Sequence, residues 1–267
     1  MRHFRWIVPT AIAVLGFADA FAFSPYENYL LSGKPTYAGL LARAKAGREV
    51  QLAEELLKVC TDKENVRMLR AGISNPAAFR RQIQGETWFL VVFQYAGGKP
   101  YLTAAEAFES ITPELKELIE PHPRAVRYGR CWLQAEWINY IRGLNVEGAP
   151  SQVLSMVTTI RPEKESEYRS LHQTVWPGVV DQMIRGNNRN FCIFLAEIGD
   201  TLYEFFYLEY MGSDFEKDDR MNQQDPVNQR WWAQTGPCQK PLPGEKEIWS
   251  PMFPVAESAA QKESKNG

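Results

Sequence analysis

Histidine is the scarcest reactive side chain of this protein: His3, His122 and His172 are the three present in 267 residues. Cysteine is nearly as rare, with four (Cys60, Cys131, Cys192, Cys238), and no CxxC or zinc-type spacing joins them. A metal site and a paired-thiol redox motif therefore have no sequence support. An excess of one charge is lacking too. The formal net charge is -2 and no basic stripe carries interleaved aromatics, which argues against an extended phosphate-binding surface and against nucleic acid as a partner. What is present is ordinary in bulk: 45% hydrophobic and 23% charged residues, typical of a globular protein. The length allows two ordinary domains or one large one. The 8 tryptophans are the unusual component, because indole suits places where an apolar face must also offer a polar edge.

The amino terminus reads as an export signal. Arg2, His3 and Arg5 precede an apolar run from Trp6 to Phe17, followed by Ala18-Asp19-Ala20. That is a basic segment, an apolar segment too short to span a bilayer comfortably, and a small-residue cleavage site. Residues 1–20 are thus expected to be a signal peptide, with an uncleaved anchor as the alternative. The small residues are not followed by a cysteine, so a lipid anchor is unsupported. The mature protein would begin near Phe21 and be periplasmic or secreted, with no stable membrane association after cleavage. Export permits disulfides. Cys192, inside an apolar run, reads instead as a buried small hydrophobe.

Further along, residues 36–46 read as a strand and 49–59 as an amphipathic helix with Leu52, Leu56 and Val59 on one side. Two β-rich runs follow, at 66–73 and 87–95. Thr103 with Glu106 three residues later forms a capping box, predicting a helix through residue 119. Residues 132–141 read as one last strand. The second half repeats this β-α-β-β-α-β order. It has a strand at 152–160 and a helix over 162–184, kinked or restarted at Trp176-Pro177. A hairpin at 190–197 and 201–210, short helices at 214–221 and 226–234, and an edge strand at 247–255 complete it. The expected segments are therefore 36–142, a linker at 143–150, 151–255, and a small, charged, disordered tail at 256–267. Each such unit is the ferredoxin-like split βαβ motif. Its sheet carries helices on one face and needs a cover on the other, which a second sheet supplies, so two units in one chain imitate a homodimer.

The densest constellation lies in the second unit. Tyr168, His172 and Trp176 are spaced by four, so a helix places them on one face, as a core stripe or as the wall of a site. Gln229-Arg230-Trp231-Trp232 follows on the last helix. Adjacent tryptophans point about 100° apart, so one of the two can serve the core. Trp176, before Pro177, reads as a core or helix-entry residue. Arg230 is open between ion pairing and contact with hydroxyls.

Over about residues 151–255 these two motifs, in this order, resemble the L-rhamnose mutarotase family, whose members are dimeric α/β barrels. The resemblance implies an α+β fold of tandem ferredoxin-like units forming an intrachain dimeric α/β-barrel. It implies a monosaccharide partner, no cofactor and no metal. By position it assigns His172 as the catalytic acid/base and Tyr168, Trp231 and Trp232 as substrate-binding residues. Phe191 stands where the family carries a tyrosine, so it can stack on a sugar but donates no hydrogen bond. The first unit departs further: Leu52 and Leu56 align with Tyr168 and His172, which gives one active and one structural half. Internal duplication is compatible with a monomer.

The chemistry is coherent with these residues. Interconverting α and β anomers requires a proton on the ring oxygen and loss of one from the anomeric hydroxyl. An unperturbed imidazole, with a pKa of about 6.5, is poised for both transfers. The sequence therefore points to an exported sugar mutarotase acting on L-rhamnose or a similar 6-deoxysugar. The alternatives are a non-catalytic carbohydrate-binding protein that kept the aromatic pocket, or a different dimeric α/β-barrel enzyme.

Overall fold

The computed structural model describes residues 36–62, 66–96, 103–141 and 148–256. The expected signal peptide, most of the expected linker and the tail beyond residue 256 lie outside them.

The chain opens with strand β1 (Thr36–Ala44) and helix α1 (Glu49–Thr61), which buries Leu52, Ala53 and Leu56 against the sheet. The run at 66–73, expected as a strand, is instead helix α2 (Val66–Arg70). Only Met68 of that helix is buried, and Gly72, at φ +74, turns the chain into strand β2 (Ile73–Ile83). Five apolar residues at mixed spacing fit either period, and the glycine decides where the strand begins. A bulge between Ser74 and Ala77 accommodates Asn75 at φ +50 and the donor-less Pro76. Strand β3 (Glu86–Tyr95) and helix α3 (Ala104–Ile111) follow. Both halves of the expected Thr103–Glu106 capping box are formed. The helix ends at Ile111 rather than near 119, because Thr112 precedes Pro113 and is steered out of the helical region. A 3₁₀ turn, the short strand β4 (Ile119–Glu120) and helix α4 (Pro123–Val126) replace the predicted continuation.

Residues 132–141 are not one strand. They form β5 (Leu133–Gln134) and β6 (Glu136–Ile141), which pair with different sheets. The second unit is closer to expectation: β7 (Gln152–Ile160), α5 (Glu165–Gln173), then α6 (Pro177–Arg185), restarted with Trp176 as its N-cap and Pro177 in its first turn. Next come the hairpin strands β8 (Asn188–Ile198) and β9 (Thr201–Tyr210), and helices α7 (Phe215–Gln224) and α8 (Pro226–Thr235). The Asp225 carboxylate caps α8 by accepting from the Val227 and Asn228 N–H groups. The predicted closing strand is again divided, after β10 (Gln239–Lys240), into β11 (Ser250–Pro251) and β12 (Phe253–Pro254).

These strands make two antiparallel sheets in the order β12-β2-β3-β1-β4, with β5 on β1, and β10-β7-β9-β8-β6, with β11 on β7. Within each lies the ferredoxin-like order. The outer positions are exchanged: β6 leaves the first unit to cover the β8 edge of the second sheet, and β12 leaves the second unit to cover the β2 edge of the first. Splitting each expected terminal strand is what allows this reciprocal crossing, and it occupies edges that would otherwise present unpaired backbone groups. The result is a tandem, intrachain version of the dimeric α/β barrel.

The sheets meet through one face each. Leu41, Phe79, Trp88, Leu90 and Val92 from the first pack against Val157, Phe194, Tyr203, Phe205 and Tyr207 from the second. A buried polar knot joins them near one end. Glu209 accepts from the Tyr37 hydroxyl at 2.6 Å, the Tyr207 hydroxyl at 2.9 Å and Arg189 Nε at 2.8 Å. The sheets approach closely at Gly39 of β1, where an added Cβ would lie 2.9 Å from the Phe194 ring.

Replacing Gly39 with valine is therefore expected to push the sheets apart and lower stability by about 1–3 kcal/mol. Urea denaturation measures this, and an unchanged midpoint would contradict the close approach.

Candidate active site

The two units differ on their helix-facing sides. In the first, Leu52, Leu56, Phe93, Phe108 and Trp132 pack that face into a hydrophobic core. In the second, a cavity of about 510 Å³ separates the sheet from its helices. Alternate residues of each strand point to one face, so Leu154 and Met156 of β7, Phe191 and Ile193 of β8, and Glu204, Phe206 and Leu208 of β9 form its floor. Tyr168 and His172 of α5, Val179 and Met183 of α6, and Asn228, Trp231, Trp232 and Thr235 of α8 form its walls. Every residue that the sequence marked as a site candidate lines this space: Tyr168, His172, Phe191, Trp231 and Trp232.

The expected three-residue helical face is corrected: α5 ends at Gln173, so Tyr168 and His172 share its face, whereas Trp176 caps α6 and joins them through Trp231 in a line of rings. The Tyr168 and His172 ring centres lie 4.2 Å apart, Trp231 stands edge-on to His172 at 5.3 Å, and Trp176 edge-on to Trp231 at 5.4 Å. The paired tryptophans divide their work as helical geometry requires. Trp231 is buried, whereas Trp232 is 45% exposed at the cavity mouth. Arg230 is exposed and does not line the cavity. Phe191 stacks obliquely on Phe206, which in turn meets Trp249.

His172 is chemically unlike the imidazole the sequence suggested. Its Nδ1 lies 3.0 Å from the Tyr168 carbonyl oxygen, one turn back on α5. A carbonyl only accepts, so Nδ1 carries the hydrogen and Nε2 keeps its lone pair. Burial opposes the charged ring and lowers its pKa to about 4, with the Tyr168 carbonyl partly offsetting this. The expectation of a group titrating near neutrality is thus corrected: the ring is neutral at pH 7, with Nε2 as its acceptor and a weaker basicity than a free imidazole. His122 provides the contrast. Its Nδ1 accepts the Arg124 N–H and its Nε2 donates to the Glu197 carbonyl, leaving no free ring nitrogen.

Sequence reasoning missed Glu204 and Gln239. The Glu204 side chain is wholly buried, accepts a hydrogen bond from the Tyr168 hydroxyl, and accepts one from Gln239 Nε2 at 2.9 Å. Burial raises its pKa to about 7 against the pull of both donors. The same burial, with Glu204 alongside, raises the Tyr168 phenol well above its usual value. The available signal was a single acid among Leu202, Phe206, Leu208 and Tyr210, the other residues on that face of β9. Asn188 contributes a buried Oδ1 that has no hydrogen-bond partner among the described residues. Among the described residues, no group of three or more His, Cys, Asp and Glu side chains converges as metal ligands. Cys60, Cys131, Cys192 and Cys238 are free thiols, and Cys192 is buried among apolar side chains as its context suggested.

Fold and cavity together define a duplicated α/β barrel with an aromatic-walled, small-molecule-sized pocket under one sheet. A sequence profile described as L-rhamnose mutarotase matches residues 154–257, the part that builds this pocket. The L-rhamnose mutarotase of Oceanobacillus iheyensis is 30% identical over 84 residues, covering 32% of this chain and 76% of that protein. The L-rhamnose mutarotase of Burkholderia ambifaria is 28% identical over 103 residues, covering 34% of this chain and 92% of that one. Through its carboxy-terminal half, the chain belongs to the L-rhamnose mutarotase family. A solved candidate monooxygenase of Fusobacterium nucleatum overlays 83% of this chain and 92% of its own, at 12% identity and a TM-score of 0.47.

Because the folded state holds His172 neutral, its stability contribution is complete above pH 6.5 and is lost as pH falls toward 4, where only the unfolded chain's imidazole takes up a proton. His172→Asn is expected to remove this dependence, worth roughly 3 kcal/mol by pH 4. Calorimetric melting of both proteins across that window reads the difference, and a gap that does not change with pH would refute the neutral assignment.

Proposed function

We propose that the protein is a mutarotase interconverting the α and β anomers of L-rhamnose or a similar 6-deoxysugar, with one site per chain. The observation that supports it most is the placing of an acceptor Nε2 on His172 between the Tyr168 ring and Trp231, inside the half that matches the family. A pyranose has a face of C–H groups that suits Trp231, Trp232 and Phe191. Its hydroxyls suit the amides around the cavity, including the unpartnered Asn188 Oδ1. The 6-methyl group suits an apolar floor of Leu154, Met156 and Ile193.

The reaction begins when His172 Nε2 removes the anomeric hydroxyl proton. The bond from the anomeric carbon to the ring oxygen breaks, the ring oxygen gains a proton, and a free aldehyde forms. Rotation and reclosure on the opposite carbonyl face reverse both transfers. Spontaneous mutarotation is already accessible, so positioned proton transfer worth about 10²- to 10⁴-fold is sufficient. Export to the periplasm or medium, removal of residues 1–20 and a monomeric state form part of the same proposal. They rest on the amino-terminal pattern and on the intrachain pairing of sheets.

A second reading, a carbohydrate-binding protein without turnover, is favoured by one specific observation: a neutral imidazole has no ready proton for the ring oxygen. Saturation-transfer NMR on L-rhamnose separates the two. The wild type is expected to speed anomer exchange, and His172→Ala to lower the catalysed rate by about 10²- to 10⁴-fold. Trp231→Ala is expected to raise the sugar concentration needed for half-maximal rate. Rhamnose binding with exchange no faster than buffer would select the binding protein.

A further inference from the structure

Ring opening needs two proton carriers, a base at the anomeric hydroxyl and an acid at the ring oxygen. The single hydrogen of His172 is held on Nδ1 by the Tyr168 carbonyl at 3.0 Å, so the imidazole serves only the first of these at the outset. The second carrier must lie beside it and exchange a proton in both directions. Trp, Asn and Gln side chains around the cavity do not do so near neutral pH. Asp219 stands half-exposed on α7, where Gln223 donates to it at 2.8 Å. Glu204 is sealed from water and joined to the Tyr168 hydroxyl, whose ring packs on His172.

Resting on the mutarotase reading, we infer that Tyr168 delivers the proton to the ring oxygen and that Glu204, behind it, supplies and takes back that proton. Tyr168 is the catalytic residue in this relay, and Glu204 acts through it. When the Glu204 carboxyl is protonated it donates to the phenol oxygen, which frees the Tyr168 O–H to turn toward the cavity. As the bond between the anomeric carbon and ring oxygen breaks, the Tyr168 proton passes to the ring oxygen and the Glu204 proton passes to Tyr168. His172 meanwhile takes the anomeric hydroxyl proton. The sugar becomes the open aldehyde, the imidazole becomes cationic and Glu204 becomes a carboxylate. Closure on the other face returns both protons, so the protein ends as it began and no further reactant is needed.

The surroundings suit a group that alternates between acid and anion. Gln239 Nε2 donates to the far carboxyl oxygen at 2.9 Å and so steadies the anion. Tyr168 of α5, with His172 beyond its ring, and the Cys238 thiol ahead of β10 are the titratable groups facing Glu204. Its strand neighbours are Thr158 of β7 and Leu195 of β8, and among the described residues it makes no salt bridge. Without a cation at hand, burial keeps the proton on Glu204 up to a pKa of about 7. The active form therefore has Glu204 protonated and His172 neutral, a window from about pH 4 to about pH 7.

The test is the pH profile of rhamnose anomer exchange by saturation-transfer NMR from pH 5 to 9, for the wild type, Glu204→Gln and Tyr168→Phe. The wild-type rate is expected to fall as pH rises through about 7. Glu204→Gln keeps the shape and hydrogen-bonding capacity of the side chain but does not carry the proton. It is expected to lose at least about tenfold of the rate at pH 6 and the alkaline fall with it. Tyr168→Phe, which keeps the ring packing on His172, is expected to do the same. A wild-type rate in Glu204→Gln, or a reduced rate that retains the alkaline fall in both variants, overturns the relay. If His172→Ala still abolishes exchange in that case, the mutarotase reading stands without the relay. Absence of exchange in the wild type overturns both.

Discussion

A ferredoxin-like sheet has two apolar faces and brings helices for only one, and the architecture of this chain follows from covering the other. The inward faces of the two sheets meet through Leu41, Phe79 and Leu90 on one side and Val157, Phe194 and Phe205 on the other. The reciprocal crossing of β6 and β12 then binds each unit to the edge of its neighbour. With this face buried inside one chain, the barrel closes without a second copy. The covered face becomes a structural partition, and any ligand space must lie on the helix sides.

The two helix sides have diverged in what fills them. Leucines at 52 and 56 complete a core, while tyrosine and histidine at 168 and 172 stand over a hollow. The amino-terminal unit thus occupies the place that a second subunit holds in a homodimeric barrel, and lends rigidity to the floor of the other unit's cavity. The middle strand of that floor is β9, whose opposite face packs into the joint between sheets through Tyr203, Phe205 and Tyr207. Glu204 is inserted between these residues, so a strand locked into the barrel core holds the one acid beneath the pocket. A rigid strand suits a proton relay, which depends on distances of a few tenths of an ångström.

Burial controls the chemistry on both sides of Tyr168. The same exclusion of water lowers the pKa of the His172 imidazole and raises that of the Glu204 carboxyl, leaving, between about pH 4 and about pH 7, a neutral base and a neutral acid next to one phenol. Two groups that in water would be partly cationic and fully anionic exchange their usual tendencies. The cost of burying them is offset by short-range partners: a helix carbonyl for the ring nitrogen, and a phenol and an amide for the carboxyl.

Much of this was legible in order along the chain. The double β-α-β-β-α-β pattern, the Thr103–Glu106 cap, the restart at Pro177 and the shared face of Tyr168 and His172 are local features that depend on spacing of a few residues. Where sequence reading failed, the deciding contact was distant or the local signal degenerate. Residues 66–73 fitted helix and strand alike, and Pro113 ended a helix that the apolar pattern would have continued. Residues 132–141 and 247–255 looked like single strands because nothing local says that half of each belongs to another sheet. The sequence by itself determined that Tyr168 and His172 share a helical face and which family the second half belongs to. Only the tertiary structure decided their protonation and brought in Glu204 and Gln239, 36 and 71 residues from Tyr168, because solvent exclusion and long-range juxtaposition exist only once the chain has closed on itself.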